Sequence, residues 1–332
     1  MKTGPKKRAG RGRARSQALF AAIDLGTHNC RLLIASRGRE GSLRVVDSFS
    51  RIVRLGEGLE STGRLAPSAI ERTIAALRVC AERIRRAGGA RLRAVATEAC
   101  RRAANADLLL KRARDEAGVD LIVLTPEQEA NLAAVGCAPL VSARHDGALI
   151  FDIGGGSTEA IWMRRENDAL CVVHALSVPV GVVTLSERHA SPMTRTHYDS
   201  IRGEMLPLFA GLRARMEQAG AFDAAKYHLL GTSGTVTTLA GIALGLQRYI
   251  RTRVDASWHA CADLLRVGER VADLDMASRA AMGCVGAQRA DLMVPGCAIF
   301  SAIHATWPCA ELRVADRGLR EGILRELMAE AA

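Results

Sequence analysis

Aromatic residues are scarce in this sequence: phenylalanine, tryptophan and tyrosine together make up 4% of its 332 positions. Proteins that bind single-stranded nucleic acid stack bases on aromatic side chains, so this scarcity argues against such a platform. Long apolar runs are lacking too, since no stretch approaches the roughly 20 apolar residues that a membrane span needs. The remaining composition, 48% hydrophobic and 24% charged, is typical of a soluble globular protein without a membrane partner.

Closely spaced cysteine pairs are also missing. The nine cysteines are scattered along the chain, none forms a CxxC pair, and several lie inside apolar runs. This pattern is typical of reduced, buried thiols and not of a disulfide framework or a zinc site. We therefore expect a cytoplasmic protein.

Acidic residues are absent from the first 16 positions, which hold seven lysines and arginines. This arm carries seven of the eleven net positive charges, so the rest of the chain is only mildly basic at +4. We expect residues 1–17 to form a disordered basic tail, because such a stretch cannot bury a core. The tail either improves solubility or attracts polyanions, and non-specific tail contacts are the only nucleic-acid binding we expect. We do not expect a secretory signal here, because Asp24 interrupts the apolar run that follows the arm.

The length and an internal repeat both predict two domains. A chain of 332 residues exceeds the size at which single hydrophobic cores stop growing, about 250–300 residues. The segments 20–33 and 148–163 share one pattern: an apolar run, an aspartate, an aliphatic residue, glycine, small hydroxyl residues and a second apolar run. Two such hairpins predict a duplicated architecture with one copy per domain. We place the lobes at 18–136 and 137–310, with a final segment 311–332 whose helix can return to the first lobe.

Apolar periodicity predicts an α/β protein. The predicted strands are Leu19–Leu25, Cys30–Ala35, Leu43–Phe49, Leu92–Ala96, Leu121–Leu124, Ala148–Ile153, Glu159–Met163 and Tyr227–Leu230. The predicted helices are Pro67–Ala87, Asn105–Gly118, Pro126–Gly136, Val236–Gly245 and Leu319–Met328.

Three glycine-rich turns follow predicted strands. Such a turn exposes several backbone N–H groups in one concavity, where they can bind phosphate oxygens, although glycine turns also occur for backbone reasons alone. The residues concerned are Gly26, Thr27, His28 and Asn29; Gly154, Gly155, Gly156, Ser157 and Thr158; and Gly231, Thr232, Ser233, Gly234 and Thr235. For His28, a contact with phosphate and a purely conformational role remain equally open.

Asp24 and Asp152 each end a strand immediately before such a turn. An ionised carboxylate at the end of a buried strand needs a partner, and Mg²⁺ is often held by one or two carboxylates together with substrate phosphates. The alternative is that each aspartate caps its own turn. Because the aspartate occurs in both copies of the repeat, we favour a magnesium site.

Several segments together resemble the exopolyphosphatase/guanosine pentaphosphate phosphatase (Ppx/GppA) family, in the family's order and over nearly all of the chain after the tail. These segments are Asp24–Leu32, Ala96–Asn105, Thr125–Ala130, Asp152–Glu159, Gly231–Thr238, Arg289–Asp291 and Val314–Gly322. The resemblance implies two ribonuclease-H-like domains of the actin-like ATPase superfold, with the substrate in the cleft between them. It further implies magnesium-dependent hydrolysis of terminal phosphoanhydrides in polyphosphate or guanosine pentaphosphate, and a possible homodimer.

The resemblance also implies individual roles. Glu129 matches the family's proposed general base, and Glu159 a second acidic residue that faces the attacking water. Arg31 and Arg101 match basic residues that line the first phosphate loop. The chain departs from the family's pattern at Gln128, where many relatives have a second acid, and at Ser233, where glycine is common.

Inorganic polyphosphate is the favoured substrate, because no nucleoside pocket can be read from the sequence. Guanosine pentaphosphate is the alternative within the same reaction class. Two further alternatives are an actin-like kinase or ATPase and a non-catalytic sensor of guanosine tetra- or pentaphosphate.

Overall fold

The computed structural model describes residues 18–167, 169–189, 192–219 and 223–332. The predicted basic tail, residues 1–17, lies outside this range. The cysteines of the described residues are all unpaired, and all except Cys171 are buried. None of the helices in these ranges combines the length and the apolar character that crossing a membrane requires.

Two sheets organise the described chain. Their strands are β1 (Leu19–Leu25), β2 (Asn29–Arg37), β3 (Leu43–Ile52), β4 (Arg91–Ala96), β5 (Leu121–Val123), β6 (Gly147–Ile153), β7 (Thr158–Glu166), β8 (Ala169–Val178), β9 (Tyr227–Thr232), β10 (Trp258–Ala260) and β11 (Glu311–Ala315).

Helices cover the faces of both sheets. They are α1 (Leu59–Thr62), α2 (Pro67–Arg86), α3 (Glu98–Arg102), α4 (Ala106–Ala117), α5 (Pro126–Cys137), α6 (Val182–Arg188), α7 (Arg195–Gln218), α8 (Ser233–Ala243), α9 (Arg251–Val254), α10 (Cys261–Asp273), α11 (Met276–Ala281), α12 (Met293–Thr306) and α13 (Leu319–Glu330).

The two sheets are built on one plan. The first has the strand order β3-β2-β1-β4-β5, and the second has the order β10-β11-β9-β6-β7-β8. In each sheet an antiparallel hairpin, β1–β2 or β6–β7, adjoins a parallel strand, β4 or β9. The fold class expected from the sequence, two α/β domains built on one repeated motif, is therefore confirmed.

The predicted elements of the first sheet agree with the structure to within a few residues, whereas the second half contains more than the sequence indicated. Strand β8 was not predicted, because its residues are mostly half-exposed and show no clean alternation. Helix α8 begins at Ser233, three residues earlier than expected. The third glycine-rich segment therefore joins the end of β9, with Gly231 and Thr232, directly to the first turn of α8, without a loop between them.

Helices α5 and α13 cross between the lobes. The apolar residues of α5, such as Ala130 and Ala134, pack against the second sheet, although the predicted boundary at 136 assigns this helix to the first lobe. The sequence reveals the apolar face of a helix but not which sheet that face covers. Helix α13 packs on the first sheet, where Ile323 and Leu327 belong to the same buried apolar cluster as Phe20.

The two crossing helices touch backbone to backbone. A Cβ atom on Gly322 would overlap the carbonyl oxygen of Leu132, and one on Gly136 would overlap the carbonyl oxygen of Gly318. This approach requires glycine, because any side chain would force the helices apart.

A second contact joins the lobes at the surface. The Glu187 carboxylate accepts a hydrogen bond of 2.7 Å from the backbone N–H of Gly58, which precedes α1. The Arg188 guanidinium lies 2.7 Å from the Glu60 carboxylate. Helix α6 of the second lobe is therefore clasped to α1 of the first by partly exposed charges.

Candidate active site

A cavity of about 440 Å³ lies between the lobes. Its walls contain most of the residues predicted from the sequence: Asp24, Gly26, Thr27, His28, Asn29, Arg31, Glu129, Asp152, Gly154, Gly155, Gly156, Ser157, Glu159, Thr232, Ser233, Gly234 and Thr235. Arg101, Thr158 and Gly231 are not among its lining residues.

The first turn is held in shape by backbone hydrogen bonds. The Gly26 N–H donates to the carbonyl of Asn29 over 2.9 Å, which closes the turn between β1 and β2. The carbonyl oxygen of His28 accepts from the N–H groups of Val53 and Arg54, so the segment after β3 supports the turn from outside. The strand register places Asp24 directly opposite Arg31.

His28 is a neutral ring in the wall of the cavity. Burial, followed by the positive charges of Arg54, Arg289 and Arg31, lowers its pKa to about 4. Its Nε2 atom is buried and has no hydrogen-bond partner in the described chain. His28 therefore enters the cavity wall as an uncharged ring among arginines.

The second turn has the same construction. The Gly154 N–H donates to the carbonyl of Ser157 over 2.9 Å, and the carbonyl oxygen of Gly154 accepts from the N–H of Val182 at the start of α6. Here the register places Asp152 opposite Glu159. The turn thus contacts the start of α6 through the backbone of Gly154, and the two strands that it joins hold the carboxylates of Asp152 and Glu159.

The first and second turns face each other at close range. A Cβ atom on Gly156 would come within 2.5 Å of the Thr27 hydroxyl and 3.0 Å of the Glu98 side chain. Glycine at this position is required by the approach of the opposing lobe, so the two turns enclose one space from both sides.

The third turn contains a strained residue. Ser233 has a φ of +79°, a left-handed conformation that L-residues other than glycine adopt at a cost of about 1–2 kcal/mol. Its hydroxyl donates a 2.8 Å hydrogen bond to the carbonyl of Ile153 at the end of β6. This bond ties the start of α8 to the strand that carries Asp152.

Glu129 extends into the cavity from the first turn of α5. The helix is well capped: Thr125 accepts from the N–H of Gln128, whose side chain in turn accepts from the N–H of Thr125. The pKa of Glu129 is raised to about 7, chiefly by burial and further by Asp24 and Asp152, against the opposing charge of Arg101. A carboxyl group with this pKa is suited to take a proton from water near neutral pH.

The carboxyl groups of Asp24, Asp152 and Glu159 are also destabilised as anions. Burial raises the pKa of Asp152 to about 6 against the opposing charge of Arg31, and the negative charge of Asp24 adds to the increase. Burial likewise raises the pKa of Asp24, with Arg31 and Arg320 opposing. The pKa of Glu159 lies well above its usual value because of burial and because of Glu129. Several buried acids in one cavity call for a cation.

Arg101 forms four hydrogen bonds next to the cavity. Its guanidinium donates to the Glu98 carboxylate over 2.7 and 3.0 Å, to the Glu129 carboxylate over 2.6 Å, and to the carbonyl of Leu124 over 2.9 Å. The side chain does not line the cavity and has little capacity left for phosphate. A contact of Arg101 with phosphate stays a prediction, and its ion pair favours a role in positioning Glu129.

Thr158 and Gly231 also have structural surroundings. The Thr158 hydroxyl donates to the carbonyl of Val180 over 2.8 Å. Gly231 lies at the end of β9, where a Cβ atom would be 2.7 Å from Phe151 and from Val236. Both residues thus support the turns from outside the cavity. The sequence motif alone does not distinguish such residues from those that line the cavity.

Sequence reasoning missed several basic residues of the cavity. Arg289, Arg317 and Arg320 all line it, and the guanidinium groups of Arg289 and Arg320 form no ion pair within the described ranges. Burial lowers the pKa of Arg289 and of Arg320, and neighbouring Arg31 lowers both further. These residues lie in the segments 289–291 and 314–322, which contribute to the family resemblance. The sequence therefore contained a signal for them, but no role was assigned to these three arginines.

The carboxylates do not form a metal cage by themselves. No group of three or more His, Cys, Asp or Glu side chains within the described ranges is arranged to hold a metal ion alone. Asp24 and Asp152 do face the same cavity. Two carboxylates with space for phosphate and water match the way Mg²⁺ is commonly bound.

Comparisons with known proteins agree with this geometry. A sequence profile of the Ppx/GppA phosphatase family matches residues 34–331. Exopolyphosphatase 2 of Mycobacterium tuberculosis is 35% identical over 289 residues, which cover 83% of this chain and 86% of that protein. The guanosine-5'-triphosphate,3'-diphosphate pyrophosphatase of Photobacterium profundum is 30% identical over 322 residues, which cover 94% of this chain and 60% of that longer protein.

A solved structure is also similar. The crystal structure of the Aquifex aeolicus member of the Ppx/GppA family matches with a TM-score of 0.74 and 29% identity. The match covers 95% of this chain and 98% of that one. The likeness therefore extends over both lobes and the cleft.

Proposed function

The chain belongs to the Ppx/GppA phosphatase family, and on this premise we propose that it hydrolyses the terminal phosphoanhydride bond of inorganic polyphosphate and releases orthophosphate. The observation that carries the proposal is the position of Glu129, a buried carboxyl with a pKa of about 7, in one cavity with two opposed amide-lined turns. Its relatives include a named exopolyphosphatase and a named guanosine-5'-triphosphate,3'-diphosphate pyrophosphatase, both of which are phosphoanhydride hydrolases.

The chain supplies positioning and charge. Phosphoryl transfer demands little covalent chemistry from a protein and much stabilisation of the negative charge on the transferred group. The N–H groups of the turns and the guanidinium groups of Arg31, Arg289 and Arg320 neutralise the phosphate oxygens. Asp24 and Asp152 would hold magnesium, which when bound supplies Lewis-acid neutralisation of the phosphate charge.

Glu129 acts as the general base. Its carboxylate orients a water molecule and takes one proton from it as the water oxygen attacks the terminal phosphorus. The bond from that phosphorus to the bridging oxygen breaks, and the bridging oxygen leaves with the electron pair on the shortened chain. Arg101, held by Glu98, fixes the position of the Glu129 carboxylate.

Guanosine pentaphosphate is a second candidate substrate, and one observation favours it. Tyr249 lines the cavity and is 39% exposed as a residue, and its hydroxyl donates to Asp316 over 2.5 Å. An aromatic ring fixed in this way can stack on a nucleobase. Against it stands the scarcity of other aromatic lining residues, which is why linear polyphosphate is preferred.

A phosphate-release assay tests the proposal. Tripolyphosphate, long-chain polyphosphate, guanosine pentaphosphate and ATP are compared with and without magnesium. We expect magnesium-dependent release from the polyphosphates. Phosphate release from ATP and from none of the other substrates would instead indicate an actin-like kinase or ATPase. Tight binding of guanosine tetra- or pentaphosphate without turnover would indicate a sensor.

A further inference from the structure

The part of the cavity wall formed by residues 282–292 has no regular secondary structure. This segment joins α11 to α12 through a series of hydrogen-bonded turns, in which Gly286 has a left-handed φ of +71°. Its residues that line the cavity are Cys284, Val285, Arg289 and Leu292. Turns lack the ladder of hydrogen bonds that stabilises a helix or a sheet, so the shape of this wall depends on contacts from neighbouring elements.

Arg289 is the cationic residue of this wall. Its guanidinium lies 3.5 Å from the position of a Cβ atom on Gly234 in the third turn. The guanidinium of Arg317, another arginine of the cavity, is held by the Asp255 carboxylate. The guanidinium of Arg289, in contrast, forms neither an ion pair nor a hydrogen bond within the described ranges. The direction in which Arg289 extends is therefore set by its backbone.

A second arginine, Arg279 on α11, holds that backbone from outside the cavity. Arg279 is a fully buried side chain, only 1% exposed. Its guanidinium donates to the carbonyl oxygens of Ala290 over 3.3 Å, of Leu274 over 3.0 Å and of Met193. These carbonyls belong to the segments that precede α12, α11 and α7. Because Ala290 directly follows Arg289, one of the three bonds fixes the chain next to the arginine of the cavity.

Arg279 is a buried cation without a carboxylate partner. Burial lowers its pKa, and it forms no ion pair within the described ranges. A charge removed from water is costly unless hydrogen bonds compensate it. The planar guanidinium presents five N–H donors in a fixed fork, whereas the lysine ammonium is a point charge on a flexible stem. A guanidinium can therefore hold three carbonyls from different segments in one arrangement, which lysine cannot reproduce.

We infer that Arg279 is a positioning residue, which holds the segment 282–292 so that Arg289 faces the phosphate groups in the cavity. The inference rests on the proposed function. It adds to that function a residue that acts without touching the substrate, since Arg279 does not line the cavity. The alternative is a purely structural anchor of α7 and α11, whose loss would lower stability without a specific effect on substrate binding.

The test compares Arg279→Lys with Arg213→Lys, a control at the opposite end of α12. Arg213 donates to the carbonyl of Thr306 over 3.2 Å and does not line the cavity. KM and kcat are measured for tripolyphosphate, together with the Tm of each variant. We expect Arg279→Lys to raise KM by about three- to tenfold with little change in kcat, because a misdirected guanidinium loses part of a hydrogen bond to a charged group. Arg213→Lys should leave KM unchanged, and equal KM values in both variants would overturn the inference.

A double-mutant cycle separates positioning from stability. In an Arg289→Gln background the guanidinium that Arg279 positions is absent, so Arg279→Lys should raise KM no further although it still lowers Tm. A rise of the same size as in the wild-type background would show that Arg279 does not act through Arg289, and the inference would be wrong.

Two further measurements cover variants that do not fold and substrates that are not turned over. If Arg279→Lys does not fold, Ala290→Gly keeps the arginine but loosens the backbone beside Arg289. It should raise KM in the same direction, and an unchanged KM would contradict the inference. If the wild type turns over no polyphosphate, the proposed function fails. Calorimetric binding of tripolyphosphate to the wild type and to Arg279→Lys then tests the positioning alone, and equal affinities would refute it.

Discussion

The hairpin that carries Asp24 and the hairpin that carries Asp152 occupy equivalent places in their sheets, yet they differ in the residue opposite the aspartate. In the first lobe that residue is Arg31, and in the second it is Glu159. In both hairpins it follows the aspartate after the same number of residues, across the same kind of turn. One structural position therefore holds a cation in one copy and a carboxyl group in the other.

Because of this difference, the two hairpins have opposite electrostatic effects on the cavity. Arg31 opposes the burial-driven rise in the pKa of both Asp24 and Asp152, so one cation serves the carboxylates of both lobes. Glu159 instead adds a buried acid near Glu129, and its hydroxyl neighbour Ser177 donates to it over 2.8 Å. In the proposed mechanism, the first copy binds phosphate and the second faces the attacking water.

The largest expected effect comes from the group that both copies surround. Glu129→Gln should lower kcat by about 10²–10⁴-fold with little change in KM, because the water loses its proton acceptor. Steady-state phosphate release measures this effect. Glu127→Gln, an exposed change on the same helix, is the control, and an unchanged kcat in Glu129→Gln would remove the base assignment.

The charge that distinguishes the first copy can be removed directly. Arg31→Gln should lower kcat/KM by about 10–100-fold, mainly through KM, since hydrogen bonds to charged groups contribute about 1.5–3 kcal/mol. Glu159→Gln, the equivalent position in the second copy, should act mainly on kcat. If both variants changed the same kinetic parameter, the two hairpins would not differ in role.

The pH profile probes the residues behind the base. Glu129 must be ionised to accept a proton, so kcat/KM should fall as the pH drops below about 7. Glu98→Gln removes a negative charge next to Arg101 and leaves more of the guanidinium's charge for Glu129. The pKa of Glu129 should then decrease and the acid limb should move to lower pH. A limb that stays in place would show that Glu98 has only a structural role.

The smallest expected effect concerns the third turn. Ser233→Ala keeps the left-handed backbone and loses the hydroxyl, whereas Ser233→Gly loses the hydroxyl but relieves the strain. The glycine variant should be more stable than the alanine variant by about 1–2 kcal/mol, the reverse of their order in ordinary positions. Urea unfolding of the two variants measures the difference, and an alanine variant of equal or greater stability would contradict the strain.

Local pattern was sufficient for the parts of the site that repeat along the chain. The two aspartate hairpins could be predicted because each is a short segment whose strands pair with each other. Glu129 could be placed because its helix begins with a proline and a capping box that fix the first turn.

The parts that depend on distant segments could not be predicted. Arg101 pairs with Glu129 across 28 positions and with Glu98 across three, and no spacing rule along one helix reveals the first contact. Arg320 reaches the cavity from α13, near the end of the chain, because that helix packs on the first sheet. The packing of α5 on the second sheet depended in the same way on tertiary contacts.

The lobes are joined in two unlike ways, and ionic strength acts on only one of them. The glycine contact between α5 and α13 consists of backbone atoms without a side chain between them, and dissolved salt has little influence on it. The contacts of Glu187 with Gly58 and of Arg188 with Glu60 are partly exposed, so dissolved ions screen them as the ionic strength rises. A rise in salt concentration therefore weakens the surface contact between α6 and α1 and leaves the crossing of α5 and α13 in place.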